Sequence, residues 1–123
     1  MKILKLSDEF SVCKVEDLRA VHTMQEFCFT ARTDEECSLV CKIEDVPDEV
    51  LTRDDGWRAF RIEGELDFSL IGILSNISTL LAEHSISIFA ISTYNTDYIL
   101  TKEEQFDQAI EVLAMKGYDI VEQ

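Results

Sequence analysis

The chain has 123 residues, which suits one compact domain or two very small modules that share a core, and its 46% hydrophobic content is enough to fill such a core. The net charge of −14 disfavours nucleic acid and anionic membranes as partners, because both attract clusters of lysine and arginine. No apolar run approaches the roughly 18 residues of a membrane span, and no secretory leader is visible, so the expected location is cytoplasmic.

Two strands and a hairpin are predicted in the first half of the chain. Residues 1–6 and 10–15 have strand-type composition and are separated by the turn-like residues 7–9, and a weak helix follows at 16–26. Residues 27–33 and 37–43 then form two apolar runs around an acidic tip, which predicts a hairpin.

An acidic connector, residues 44–56, holds the only proline and ends in the turn signal Asp54-Asp55-Gly56. Residues 57–65 then alternate like a strand. Ser69 is a suitable N-cap for a helix with an apolar stripe at helical spacing. The stripe consists of Leu70, Ile73, Leu74, Ile77, Leu80 and Leu81.

A second hairpin and a second helix are predicted in the last third. Residues 86–93 and 96–101 are strand-like, and Thr101 with Glu104 matches a capping box for the helix that follows. Gly117 is placed as the residue just beyond the end of that helix. The apolar stripe of the helix consists of Phe106, Ala109, Ile110 and Leu113.

With a closing strand at 118–121, the second half has the order β-α-β-β-α-β, which is the ferredoxin-like arrangement. A faint internal repeat suggests that the first half is a degenerate copy, so the predicted modules are residues 1–56 and 57–123. A shift of 60 positions aligns Phe29 with Phe89, Thr33 with Thr93, Leu39 with Ile99, Val40 with Leu100 and Lys42 with Lys102.

The predicted helix start at Ser69 and Gly72 is the first candidate for a ligand site. Unpaired N–H groups and the dipole at a helix N-terminus favour an anion, and a glycine in the opening turn removes a side chain that would block its approach. The alternative is an ordinary N-cap followed by a glycine that packs the helix closely on its sheet.

Asp97 is the second candidate. It begins an otherwise apolar strand, where a carboxylate costs free energy unless it is paired or near an edge, so it could bind an ammonium or guanidinium group. The alternative is a tip residue that hydrogen-bonds its own backbone, since Tyr94, Asn95 and Thr96 before it favour a turn. Tyr94 could cover a ligand or could be an ordinary exposed tip residue, and Asp67 could simply serve the turn before the helix.

Neither a metal, another cofactor nor catalysis is expected. The cysteines lie inside apolar runs without Cys-x-x-Cys spacing, a pattern typical of small buried residues in a reducing compartment, and His22 and His84 lack a spacing partner. No Gly-x-Ser-x-Gly motif, phosphate loop or histidine–nucleophile arrangement is present. The cysteines are Cys13, Cys28, Cys37 and Cys41.

Residues 64–74, 86–93 and 96–100 carry a resemblance to the ACT domain family, and within it to small bacterial proteins with two ACT modules. Residues 33–40 are similar to the matching hairpin of a first module. The modules are similar to those of animal cytosolic arginine sensors and of the regulatory end of aspartate kinases. The resemblance implies a ferredoxin-like fold, pairing of modules through their sheets, and an amino acid bound at the contact.

By this resemblance, Asp97 would contact the cationic end of the ligand, and backbone groups near 70–73 would contact its carboxylate. The chain has Ile71 where the family often has a proline, which leaves the ligand unspecified. The implied ligand-binding residues are Asp67, Ser69, Leu70, Ile71, Gly72, Ile73, Ser92, Thr93, Tyr94, Asn95 and Asp97.

The sequence therefore predicts an α+β tandem ACT pair that forms a homodimer, binds an amino acid or similar small effector, and catalyses no reaction. Two other interpretations stay open. The chain could be a protein-interaction module that binds no metabolite, or a fragment of an amino-acid kinase or related enzyme. The lack of a phosphate-cradling loop argues against the kinase fragment.

Overall fold

The structure is a computed structural model, and it describes residues 1–63 and 72–123. Short 3-10 helices occur at Leu18–Ala20 and Ile43–Asp45. The other elements are β1 (Lys2–Val15), β2 (Phe29–Arg32), β3 (Cys37–Lys42), β4 (Thr52–Ile62), α1 (Ile73–Glu83), β5 (Phe89–Ser92), β6 (Asp97–Lys102), α2 (Glu103–Met115) and β7 (Asp119–Glu122). No helix within the described residues is both long enough and apolar enough to cross a bilayer.

The chain divides into two compact units. The main unit consists of Met1–Ser7 and Arg58–Gln123, and the inserted unit is Asp8–Trp57. The predicted division at residue 56 falls beside this boundary but puts residues 1–7 in the first module. In the structure these residues belong to the main unit, because Lys2–Lys5 pair in parallel with β7.

β1 is one continuous strand, so the prediction of two strands separated by a turn at residues 7–9 is wrong. Leu6 and Phe10 are fully buried, whereas Ser7 and Glu9 are exposed. Polar residues on the outward side of a strand do not end it when the backbone groups find partners. Ser7 and Glu9 therefore mark the solvent side of β1 rather than a turn.

The main unit has a mixed α/β, ferredoxin-like fold. From β4 to β7 the chain follows the β-α-β-β-α-β order, and the unit's strands lie in the order β7, β1, β4, β6, β5. The backbone N–H of Glu63 donates to the Lys2 carbonyl at 2.9 Å, beside the end of β4. The first residues of β1 therefore lie between β4 and β7, and β7 is the outer strand.

The two helices pack together and form the core of the main unit with the strands, as their apolar stripes predict. At the centre, the Phe60 and Phe106 ring centroids lie 6.5 Å apart. The Arg58 guanidinium lies 4.6 Å from the Phe106 ring centroid and donates to the Leu6 carbonyl at 3.1 Å. The fully buried side chains of this core include Ile3, Phe60, Ile62, Ile77, Leu81, Ile99, Phe106 and Leu113.

The start of α2 differs from the predicted helix start, whereas the helix ends where the sequence predicted. Lys102 is the N-cap and makes no side-chain cap, while the Thr101 hydroxyl donates to the Lys102 carbonyl at 3.1 Å, so the predicted capping box does not form. At the other end Gly117 has a φ of 99°. Tyr118 N–H donates to the Leu113 carbonyl at 3.2 Å, which confirms the helix end predicted at Gly117.

α1 ends with the same geometry, but a serine takes the left-handed position. Ser85 has a φ of 59°, and Ile86 N–H donates to the Leu81 carbonyl at 3.0 Å. We expect Ser85→Gly to raise the free energy of unfolding by about 0.5–1 kcal/mol, because glycine accepts this backbone conformation without a Cβ penalty. Urea denaturation measures the change; Gly117→Ser should lose a similar amount, and a destabilised Ser85→Gly protein would contradict the expectation.

The inserted unit has strands in the order β4, β1, β3, β2, with short turns where helices would stand. The weak helix predicted at 16–26 is reduced to Leu18–Ala20, which begins where the Asp17 carboxylate accepts from the Arg19 N–H at 2.8 Å. The turn predicted at 54–56 is also wrong, because these residues lie inside β4. Gly56, with a φ of 85°, lets the strand continue through a local irregularity.

The β2–β3 and β5–β6 hairpins have the same register at a shift of 60 positions. Phe29 is opposite Val40, and Phe89 is opposite Leu100. The tips close in the same way, since Thr33 N–H donates to the Glu36 carbonyl at 2.9 Å and Thr93 N–H donates to that of Thr96 at 2.8 Å. The repeat seen in the sequence therefore coincides with equal strand pairing. The hairpins differ in the next element of the chain, which is a 3-10 turn after β3 and α2 after β6.

Candidate functional site

The predicted ligand-binding residues divide into three groups. Gly72 and Ile73 lie at the start of α1, and Ser92, Thr93 and Asp97 belong to the β5–β6 hairpin, with Tyr94 and Asn95 at its tip. The third group lies outside the described residues: Asp67, Ser69, Leu70 and Ile71.

Gly72 precedes α1 as its N-cap, whereas the sequence predicted it inside the first turn of the helix. The predicted cap, Ser69, lies outside the described residues. Its φ of 82° is the left-handed conformation that glycine accepts most easily, and its carbonyl accepts from the Asn76 N–H at 2.8 Å. A Cβ added at Gly72 would meet no atom of another described residue within 4 Å. Glycine supplies no side chain to the first N–H groups of α1, so they can bind an anion.

The hairpin tip brings Ser92, Thr93 and Asp97 together. Ser92 and Asp97 are directly opposite each other, and the Ser92 hydroxyl donates to the Asp97 carboxylate at 2.5 Å. The Thr93 hydroxyl donates to the Thr96 carbonyl at 3.0 Å and so closes the turn. Asp97 is half-buried, and no lysine or arginine within residues 1–63 and 72–123 forms an ion pair with it.

Thr96 is the residue that positions this tip, and it is absent from the ligand-binding residues predicted from the sequence. Its side chain is buried, and its hydroxyl donates to the Ile62 carbonyl at 2.6 Å. Ile62 ends β4, just before the segment that leads to α1. The hydrogen bond therefore ties the tip to the end of β4, although no hydrogen bond among the described residues joins the tip to Gly72 or Ile73. A threonine in a polar tip carries no sequence signal for such a role.

We expect Thr96→Val to lower the free energy of unfolding by about 1–3 kcal/mol. Valine keeps the shape of the side chain but leaves the Ile62 carbonyl without its 2.6 Å donor. Urea denaturation measures the loss. Thr79→Val on the exposed side of α1 is the control and should change the free energy by less than about 0.5 kcal/mol; equal effects of both substitutions would contradict the role assigned to Thr96.

A cation–aromatic pair stands beside the tip. The Arg61 guanidinium donates to the Tyr98 hydroxyl at 3.1 Å and to the Glu63 carboxylate at 3.1 Å. It also lies 5.8 Å from the Tyr98 ring centroid. The Glu63 carboxylate therefore balances the charge of Arg61 on β4, the strand next to β6.

Within the described part of the chain, no group of three or more histidine, cysteine, aspartate and glutamate side chains comes together in a metal-binding arrangement. Cys13 and Cys41 are buried in the apolar core of the inserted unit, and Cys28 and Cys37 pack against it. Burial raises the pKa of the Cys41 thiol to about 12, which favours its neutral form.

None of four cavities that are lined by described residues includes a predicted site residue. Two lie in the main unit along α1, with volumes of about 560 Å³ and 370 Å³. Two lie in the inserted unit, with volumes of about 620 Å³ and 500 Å³. The cavities of the inserted unit share Glu16 and Asp17 in their linings.

The ACT domain family model matches residues 52–114, just over half of the chain. The human "Cytosolic arginine sensor for mTORC1 subunit 1" is 42% identical over 69 residues, which are 54% of this chain and 21% of that protein. The chain therefore spans about a fifth of the length of the curated relatives that it matches.

Solved structures are similar over nearly the whole chain. A crystal structure of an Agobacterium tumefaciens protein has a TM-score of 0.88 and 27% identity, and covers 99% of this chain and 92% of that one. The aspartate kinase of Clostridium acetobutylicum, an allosteric enzyme, has a TM-score of 0.64 and 13% identity, and covers 87% of this chain and 32% of that one. The second likeness concerns the fold alone. With its ferredoxin-like main unit and the family match over residues 52–114, the chain belongs to the ACT domain family.

Proposed function

We propose that the protein is a non-catalytic regulatory sensor whose main unit binds an amino acid or a similar small effector. The observation that carries the proposal is Asp97, a half-buried carboxylate that has a hydroxyl partner at 2.5 Å and no ion pair within the described residues. A carboxylate held in this way at a strand end favours a cationic ligand group. The similarity to a cytosolic arginine sensor supports the same ligand class.

The start of α1 would serve the other end of the ligand. Its first N–H groups follow a glycine with no blocking side chain, which suits the carboxylate of an amino acid. Thr96 ties the tip to the end of β4, from which the chain leads to α1. Ser69, Leu70 and Ile71 remain part of the proposed loop on family resemblance.

We also propose that the chain is a tandem ACT protein, in which the first half is a degenerate copy of the second. The equal register of the two hairpins at a shift of 60 positions supports a duplication. The inserted unit retains the order of strands but has only a 3-10 turn at Leu18–Ala20 where the main unit has α1. Loss of that helix would remove the anion-binding terminus and leave the effector site to the main unit.

Regulation would act through a homodimer in the cytoplasm. β5 is the last strand in the order of the main unit, and an edge strand favours pairing with a second copy. An effector that adds contacts across such a pairing favours one arrangement of the two subunits over others.

A thermal-shift screen of the protein against the twenty amino acids tests the proposal. An effector at about 100 times its dissociation constant should add about 2.7 kcal/mol of stability, which is roughly 10 °C for a chain of this size. Asp97→Asn should remove the shift, because asparagine still accepts from the Ser92 hydroxyl but has no charge. Asp107→Asn on the exposed side of α2 is the control and should retain it.

If none of the amino acids raised the melting temperature, the result would contradict the proposal and favour a protein-interaction module instead. A shift that survives Asp97→Asn would retain the sensor but reject the role of this carboxylate. Both outcomes are read from the same melting curves, provided that the variants melt as cooperatively as the parent protein.

A further inference from the structure

The inserted unit has its own counterpart of the Ser92–Asp97 pair, with different chemistry. In the β2–β3 hairpin, Arg32 lies directly opposite Cys37, and these are the positions equivalent to Ser92 and Asp97 at the shift of 60. The carboxylate is thus replaced by a thiol, and the hydroxyl is replaced by a guanidinium. The electrostatic character of the tip is therefore reversed between the two hairpins.

A cavity of about 500 Å³ opens beside this pair. It lies wholly within the inserted unit, and its volume is sufficient for a small metabolite. The lining consists of Glu16, Asp17, Leu18, Arg19, Arg32 and Cys37.

Two of the charged side chains in the lining, Arg19 and Asp17, form a salt bridge with each other. The Arg19 guanidinium donates to the Asp17 carboxylate at 2.5 Å and 2.8 Å, and Asp17 also accepts from the Arg19 N–H at 2.8 Å. These hydrogen bonds, with the charges of Arg19 and Arg32, lower the pKa of Asp17 to about 2. The pair is therefore ionised and internally neutral at physiological pH.

Among the charged residues of the lining, Arg32 is the cation outside this pair. Its side chain is exposed at the cavity, and no carboxylate within residues 1–63 and 72–123 forms an ion pair with it. A guanidinium presents a planar fork of donors that matches the two oxygens of a carboxylate. Glu16 in the same lining would repel a doubly charged phosphate more strongly than a single carboxylate.

We infer that the inserted unit binds a carboxylate-bearing metabolite in this cavity, with Arg32 as the residue that pairs with the carboxylate. Leu18 and Cys37 supply the less polar part of the lining, against which the rest of the molecule packs. The inference uses the equivalence of the two hairpins and does not require the main unit to bind an amino acid.

Nitrogen-15 NMR of the arginine side chains tests the inference in the full chain. Acetate, succinate and L-glutamate are titrated at constant ionic strength, with sodium chloride and inorganic phosphate as reference anions. We expect at least one carboxylate to shift the Arg32 Nε resonance and the Leu18 and Cys37 amides saturably, and phosphate to shift them less. Arg32→Gln should abolish the saturable shifts.

Arg53→Gln is the matched control, because Arg53 is another exposed arginine of the inserted unit but is paired with Asp55 at 2.9 Å. It should leave the Arg32 response intact. No saturable Arg32 shift with any of the three carboxylates, a response equal to that of chloride, or undiminished binding by Arg32→Gln would overturn the inference. The amino-acid thermal shift of the main unit should survive Arg32→Gln, so failure at one site is distinguishable from failure at the other.

Discussion

Phe106→Ala is expected to lower the free energy of unfolding by about 3–5 kcal/mol, the largest stability loss that we predict. Phe106 is 1% exposed, and its ring lies 6.5 Å from that of Phe60. Alanine would leave a cavity between α2 and the sheet and would remove the surface over which the Arg58 guanidinium lies at 4.6 Å. Domains of this size have a free energy of unfolding of only about 5–15 kcal/mol, so the substitution would remove a large part of the total stability.

The measurement is urea denaturation followed by circular dichroism, with the slope compared between variants. Met115→Ala is the control, because Met115 lies on the same helix but is 81% exposed. It should change the free energy by less than about 0.5 kcal/mol. A loss for Phe106→Ala below about 1 kcal/mol would show that the two helices are not held by this core.

Gly72→Leu is expected to abolish the effector-induced rise in melting temperature. The leucine side chain would stand at the start of α1, in front of the N–H groups proposed to bind the effector's carboxylate. No other described residue has an atom within 4 Å of that Cβ, so no clash with these residues is expected, but the φ of 82° adds a backbone cost of about 1–2 kcal/mol. The variant should therefore fold with a reduced melting temperature and lose its response.

Gly117→Leu separates the backbone cost of a leucine at positive φ from the obstruction of the effector site. Gly117 also has a positive φ, 99°, and no atom of another described residue within 4 Å of an added Cβ, but it lies at the end of α2. It should show a similar loss of stability and keep the full thermal shift with the effector. If Gly72→Leu retained its affinity, the start of α1 would not be part of the site.

The pattern of apolar residues within a segment predicted those elements whose hydrophobic periodicity is strong. The stripe from Ile73 to Leu81 and the stripe from Phe106 to Leu113 became α1 and α2, because each presents an apolar face that must be buried. Both hairpins were also predicted, since apolar runs around short polar tips have few other solutions. Gly117 was placed correctly, because a left-handed residue after a helix strongly favours glycine.

The same local signals were misleading where a neighbouring strand supplied partners. Residues 7–9 and 54–56 have turn composition, yet both lie in long strands, β1 and β4. Residue type alone does not reveal that the backbone groups there are paired with a distant segment. The capping box at Thr101 failed for a related reason: its hydroxyl donates to the Lys102 carbonyl instead.

By itself, the sequence determined the class of the fold, the two helices, the two hairpins and the family, because these depend on periodicity and on short motifs within one segment. Only the tertiary structure decided that Lys2–Lys5 pair with β7 and that Thr96 anchors the tip to Ile62. Each of these depends on contacts between residues far apart in the chain. Such contacts follow from how complete elements pack, and no local pattern of residues specifies them.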